Sequence, residues 1–198
     1  MLIKRGRIKN WKSFRDGREF SFEEDVNLIV GPNESGKSTL VEAISRGLYD
    51  RHSTRAQELR EAQPWGSSLS PTIEVDFVAD GDTYRIEKQF LSSCASVLSK
   101  KVGDSWERVA EGDEADKQTT HLLGASMSAR GASKPEHWGI AQLLWMPQGG
   151  YELPKELSKD ARTALSSVLG STVTSDAEKE LSERIDEKFG DIFTESRE

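Results

Sequence analysis

Nine consecutive residues hold the clearest chemistry in this sequence: Gly31-Pro32-Asn33-Glu34-Ser35-Gly36-Lys37-Ser38-Thr39. Their spacing is G-x-x-x-x-G-K-[ST], the pattern of a loop that wraps nucleotide phosphates. Glycines at both ends let the backbone curl so that several N–H groups converge on one anion, at the positive end of the helix that follows. A lysine in the Lys37 position reaches the β- and γ-phosphates as a point charge. A hydroxyl in the Ser38 position joins a Mg²⁺ shell beside phosphate oxygens.

Such a loop works only between a strand and a helix, and the flanks supply both patterns. Leu28-Ile29-Val30 is a short apolar run suited to a strand, and Leu40, Val41, Ala43, Ile44 and Leu48 fall on one face of a helix that Gly47 and Asp50 weaken at its end. Upstream, the alternation in 2–11 and the segments in 18–31 predict strands. Downstream, 50–71 reads as loop with a short helix. Alternating apolar residues around Asp80-Gly81-Asp82 predict a hairpin, and a second is expected to turn at Gly103-Asp104. The region 72–109 is thus an antiparallel meander. Residues 110–135 are polar, with one helical patch near Thr120–Leu123. The apolar segment 137–150 is stopped by Pro147 and Gly149-Gly150. Ala177, Leu181, Ile185, Phe189 and Ile192 predict an amphipathic helix over 176–198, too short to establish a coiled coil by periodicity alone.

With 35% hydrophobic against 31% charged residues in 198, the chain has room for one domain and a large exposed surface. A net charge of −7 excludes a generic polyanion binder, so any nucleic-acid role needs a local patch. One cysteine, Cys94, excludes an internal disulfide framework and suits a reducing compartment. There is no apolar signal-peptide core at the start and no membrane-length apolar run, so the expected location is cytoplasmic, with nucleoid association as an option and no membrane partner.

Two further segments turn the loop into a family resemblance. Ile8-Lys9-Asn10-Trp11-Lys12-Ser13-Phe14, upstream of the loop, resembles the I-x-N-F-x-S-F opening of SMC/RecF/SbcC-type ATPases, and Gly31–Thr39 is similar to their Walker A loop. Leu143-Leu144-Trp145-Met146-Pro147-Gln148-Gly149-Gly150 resembles their Q-loop. The resemblance implies an α/β P-loop NTPase fold: the N-terminal lobe of an ABC-type ATPase head, with a mixed sheet, an antiparallel β subdomain and a C-terminal helix leading toward a coiled coil. The lobe would span 1–175, with the Q-loop at 145–150. It implies ATP and Mg²⁺ as cofactors. Gly31, Asn33, Glu34, Ser35, Gly36, Lys37, Ser38 and Thr39 would surround the phosphates, and Lys12 and Ser13 would lie near the nucleotide. Ser38 and Gln148 would serve Mg²⁺, with Lys37 and Gln148 acting in catalysis. Lysine at position 12 departs from the family's commoner arginine.

The same family requires parts that these residues lack. A Walker B is four apolar residues followed by Asp-Glu; Asp186-Glu187 follows polar residues, and Asp76 in T-I-E-V-D-F has no glutamate after it. No L-S-G-G signature occurs, and His52, His121 and His137 sit in polar contexts that suit surface or structural roles. The resemblance therefore implies half of a head, a fragment or one piece of a split protein. Its partners would be the C-terminal half, a second head, DNA, and a nuclease or other subunit. ATP hydrolysis would drive conformational change in DNA repair, chromosome maintenance or anti-phage defence. A different class remains open: a nucleotide-binding regulatory or assembly module without turnover. A small-molecule kinase is weaker, with Arg130-Gly131 a thin lid candidate. Lys4, Arg5, Arg7, Lys9, Lys12, Arg15 and Arg18 form a basic cluster that could meet DNA phosphates, although charges on edge strands are the commoner explanation. The five tryptophans are expected in core or interface packing.

Overall fold

A computed structural model describes residues 1–127, 133–134, 137–139, 141–144, 161–162 and 165–166. The chain begins with two strands, β1 (Leu2–Lys9) and β2 (Arg18–Ser21), then helices α1 (Lys37–Tyr49) and α2 (Gln57–Glu61). Four strands follow, β3 (Thr72–Ala79), β4 (Asp82–Gln89), β5 (Ala95–Val102) and β6 (Ser105–Glu111), and then helices α3 (Gly112–Leu122) and α4 (Ala141–Leu144). The strands form one sheet in the order β2-β1-β3-β4-β5-β6.

Both predicted hairpins are present. Asp80 and Gly81 have φ of 50° and 84°, the left-handed pair that a two-residue turn needs to match strand twist. Gly103, with φ 60°, opens the second turn. The expected mixed sheet is corrected in one respect: every pairing among the described residues is antiparallel. The predicted strand over Leu28-Ile29-Val30 is irregular chain with no strand partner among those residues. Strand propensity expresses itself only through cross-strand neighbours, and without them Val26, Leu28 and Val30 stay 93%, 85% and 81% exposed. Beside this run lies a cleft of about 320 Å³ lined by Ile3, Phe22, Ile29, Leu40, Val41 and Ile44 among others.

One face of the sheet carries the core. Ile8, Ile73, Val75, Phe77, Ile86 and Leu98 are buried in one cluster with Leu40, Ala43, Ile44 and Leu48 of α1. Gly47 is a packing residue more than a helix breaker. A β-carbon there would come within 2.9 Å of two Ile73 carbons, so its absence lets helix and sheet approach. The other face is ionic. Arg5, Asp76 and Arg85 stand opposite one another on three adjacent strands. Arg85 grips Asp76 at 2.6 and 2.7 Å, Arg5 also pairs with Glu74 and Glu19, and the Arg85 guanidinium lies 4.1 Å over the Trp106 ring.

Helix α3 is longer than the predicted patch. Its inward face presents Ala115, Asp116, Thr119 and Thr120, which no apolar periodicity reveals. Asp116 is 1% exposed and accepts from Lys88 Nζ (3.0 Å), Ser96 Oγ (2.8 Å) and the His52 backbone N–H (2.9 Å), with His52 Nδ1 at 2.7 Å. Lys88, 1% exposed, also donates to the Asp50 carbonyl at 2.6 Å. Burial pushes the Lys88 ammonium down, opposed by Asp116. Burial pushes the Asp116 carboxyl up, but Lys88, His52 and Ser96 more than offset it, holding it below the ordinary range. A satisfied ionic cluster thus stands where an apolar core is usual.

Candidate functional site

The phosphate loop is built by backbone geometry. Glu34 and Gly36 both have positive φ, 63° and 94°, on either side of Ser35, which bends the chain into a concave run of N–H groups. The loop closes tightly: a β-carbon on Gly31 would lie 2.7 Å from Ser35 Oγ, and Ser35 N–H donates to Pro32 O at 3.3 Å. Gly36 is also the N-cap of α1, with no side-chain cap and no acidic residue in the first turn. The helix end is therefore left to an outside anion. Lys37 Nζ is held over the loop by Gly31 O at 2.8 Å and Pro32 O at 2.6 Å. Asn33, Glu34, Ser35 and Ser38 are exposed, and Gly31, Gly36, Lys37 and Thr39 are partly exposed. All eight predicted phosphate-loop residues are thus at least partly accessible, and the donor set of N–H groups, one ammonium and hydroxyls suits a polyphosphate with its divalent cation.

The segment 10–15 is positioned against this loop by a strained turn. Asn10 and Lys12 adopt φ of 54° and 48°, Trp11 and Phe14 exchange backbone hydrogen bonds of 2.9 and 2.8 Å, and Lys12 N–H reaches Ala62 O at 2.6 Å. Trp11 is fully buried edge-on against Phe90. The turn delivers Phe14 and Ser13 to Gly36, whose notional β-carbon would sit 2.6 Å from Phe14 Cζ and 3.3 Å from Ser13 Oγ. Ser13 therefore lies beside the loop, and the Lys12 ammonium pairs with Glu42 on α1. Sequence reading missed both Glu42 and the supporting role of Phe14.

From Lys12 and Ser13 a cleft of about 710 Å³ runs past Arg15, Arg60 and Trp65. Trp65 is 93% exposed, which of the expected core or interface packing leaves only an interface for that residue, while Trp11 and Trp138 are buried. Its carbonyl accepts from Arg15 Nη2 at 3.1 Å.

Gln148, Trp145 and the 145–150 segment lie outside the described residues, as do Arg130-Gly131, Asp186-Glu187 and the helix expected over 176–198. Asp76 is committed to Arg85 and Arg5 and is 7% exposed, so it is a structural ion. Three of the seven residues of the basic cluster are paired with carboxylates: Lys4 with Glu24, Arg5 with Glu19, Glu74 and Asp76, and Lys12 with Glu42. His52 is held by Asp116, and His137 Nδ1 accepts from Lys134 N–H at 3.3 Å. His121 is exposed. His52, Asp113 and Asp116 lie close enough to suggest a metal site, but the Lys88 ammonium already holds the Asp116 carboxylate.

Comparison with known proteins adds independent evidence. The family model of the AAA domain matches residues 7–189. The DNA double-strand break repair Rad50 ATPase of Methanopyrus kandleri is 31% identical over 137 residues, covering 62% of this chain and 14% of its own length. The chromosome partition protein Smc of Myxococcus xanthus is 31% identical over 115 residues, covering 53% and 10%. A solved structure from work on ATP-driven dimerization and DNA-stimulated activation of SMC ATPases is 15% identical, covers 91% of this chain and 96% of that one, and has a TM-score of 0.44. The chain thus spans about one seventh of the length of the Methanopyrus relative. Among the described residues, no helix is long and apolar enough to cross a membrane.

Proposed function

The chain belongs to the AAA domain family, and from that premise we propose that it binds Mg-ATP as the N-terminal lobe of an SMC/Rad50-like ATPase head. The observation that carries the reading is the loop itself: two left-handed residues, an uncapped helix N-terminus and Lys37 Nζ folded back onto Gly31 O fall within the accessible residues 31–38. Gly31, Asn33, Glu34, Ser35, Gly36, Lys37, Ser38 and Thr39 would surround the phosphates. Ser38 with Gln148 would hold Mg²⁺, which when bound neutralises phosphate charge. Lys12 and Ser13 would stand at the start of the cleft that takes the nucleoside.

Hydrolysis would need carboxylates from a C-terminal lobe. The exposed run Val26–Val30 supports that partner, because an apolar segment of strand character beside an apolar cleft is a surface that requires a cover. A second head would complete the ATP sites, closing on ATP and reopening after hydrolysis, and so moving attached coils and DNA. The task would be DNA repair, chromosome maintenance or defence, with a nuclease or other subunit attached. The rival, a nucleotide-dependent assembly module without turnover, is favoured by one observation: Asp76, the strand carboxylate nearest in type to a catalytic one, is tied up in ion pairs.

The test is Mg-ATP binding and turnover by residues 1–198, with and without Lys37→Ala, then with a C-terminal half added. Lys37-dependent binding, with turnover only after the addition, supports the head-lobe reading. Turnover by the chain alone overturns the split-head reading, and binding without turnover in every combination favours the assembly module.

A further inference from the structure

The helix that opens at the phosphate loop carries a carboxylate close behind it. Its first turn holds no acidic residue, and the first one met along α1 is Glu42. Glu42 follows Ser38 by four residues, so the two side chains lie on one helix face with about 6 Å of rise between them. A lone carboxylate there would oppose a polyanion bound at the helix end. It is not alone. The Lys12 ammonium, delivered by the turn at 10–15, donates to Glu42 Oε2, with the two side chains 38% and 29% exposed.

The rest of Lys12 is fixed. Its backbone has φ 48° and its N–H reaches Ala62 O at 2.6 Å, which leaves the four-carbon stem as the adjustable part. The neighbouring Ser13 Oγ would lie 3.3 Å from a β-carbon on Gly36, and Lys12 and Ser13 both line the cleft of about 710 Å³. Lys12 thus connects the second turn of α1 with the wall of that cleft. Glu42 is the only hydrogen-bond partner of its ammonium among the described residues. An ammonium has three donors, so two remain for an incoming acceptor without release of Glu42. Lys37 differs, because Gly31 O and Pro32 O already accept from it.

We propose that Glu42 is a positioning residue: it holds the Lys12 ammonium one turn behind Ser38, where that ammonium joins Lys37 in gripping the nucleotide's phosphates. The inference rests on the nucleotide reading and concerns residues outside the loop. Glu42 itself touches no ligand, and its effect on affinity runs against its own charge. A carboxylate that only faced the phosphates, or that kept Lys12 away from them, would weaken binding, so its removal would tighten ATP. A carboxylate that places the ammonium strengthens binding, so its removal loosens ATP.

The test is titration calorimetry of Mg-ATP with the wild-type chain and with Glu42→Met, Glu42→Gln, Lys12→Ala and the Glu42→Met/Lys12→Ala double variant. Methionine keeps an unbranched stem and a good helix preference while removing charge and acceptor. Lys12→Ala is expected to weaken ATP about tenfold, the scale of one hydrogen bond from a charged donor. Glu42→Met should weaken it up to about fivefold, the scale of an exposed ion pair, and Glu42→Gln, which keeps a neutral acceptor for the ammonium, less. In the Lys12→Ala background Glu42→Met should cause no further loss, because no ammonium is left to place. Tighter ATP binding by Glu42→Met, or an equal loss from it in both backgrounds, overturns the proposal. Thermal unfolding of each variant checks the fold, which a half-exposed pair supports only weakly. If Glu42→Met does not fold, Glu42→Gln carries the same comparison in both Lys12 backgrounds. Lys37-dependent binding that ignores Lys12→Ala sinks this inference alone. No ATP binding by the wild-type chain sinks the nucleotide reading and this inference with it.

Discussion

Phe14 and Gly36 are packed so closely that a β-carbon on residue 36 would lie 2.6 Å from the tip of the Phe14 ring. The phosphate loop therefore rests on an aromatic side chain delivered by the strained turn at 10–15, and its second glycine is required twice, for its φ of 94° and for this contact.

Gly36→Ala should damage the loop through both. The left-handed conformation alone costs about 1–2 kcal/mol with a β-carbon present, before the clash is counted. We expect ATP affinity to fall at least about tenfold by titration calorimetry, since 1.4 kcal/mol is already one decade. Unchanged affinity would show that the loop rebuilds itself away from Phe14.

Gly47→Ala tests the seat of α1 on the sheet. The added methyl would meet Ile73 at 2.9 Å in a closed core, and overpacking of this kind costs about 1–3 kcal/mol. Pairing it with Ile73→Val should return part of the loss in urea denaturation. Additive destabilisation in the pair would refute the contact.

The Lys88–Asp116 pair is a liability if halved. Lys88→Met leaves a buried carboxylate without its cation and should destabilise by about 3–5 kcal/mol, whereas Lys88→Met with Asp116→Leu should cost much less. Chemical denaturation of the three proteins decides between a structural pair and an incidental one.

Asp50 predicts a pH signature. Burial pushes its carboxyl from 3.8 up to about 6, so between those values the folded chain binds more protons than the unfolded one. Stability from this group is therefore greatest in acid and declines as pH rises through that window, by about 1–2 kcal/mol between pH 5 and 7.5. Asp50→Asn should lack that part of the slope, visible as a difference of a few degrees in Tm between the two pH values. An identical slope in the variant would place the titration elsewhere.

Much of this was readable from residue types because the relevant physics is local. Two-residue turns at Asp80-Gly81 and Gly103-Asp104 and the glycine-lysine spacing of 31–39 declare themselves within a few positions. What stayed hidden depends on partners far along the chain. Helix α3 was masked because Asp116, Thr119 and Thr120 face inward, satisfied by groups such as Lys88 and Ser96; the acidic residues Asp113 and Glu114 in its first turn were the available signal. Val26–Val30 had strand composition but no strand to pair with among the described residues. Glu42 beneath Lys12, and Phe14 beneath Gly36, are meetings of segments that no spacing announces.

The strand order also favours a sequence of events during folding. Strands β3 to β6 are neighbours in both chain and sheet, so they can zip one after another through short loops, whereas β1 must find β3 across the whole excursion 10–71. Closing that excursion is the slow, entropically costly step, and the phosphate loop lies inside it. The loop is therefore expected to take shape after the meander has formed. Nucleotide captured there would act on the last stage of maturation, drawing the newly made chain toward its finished state by mass action.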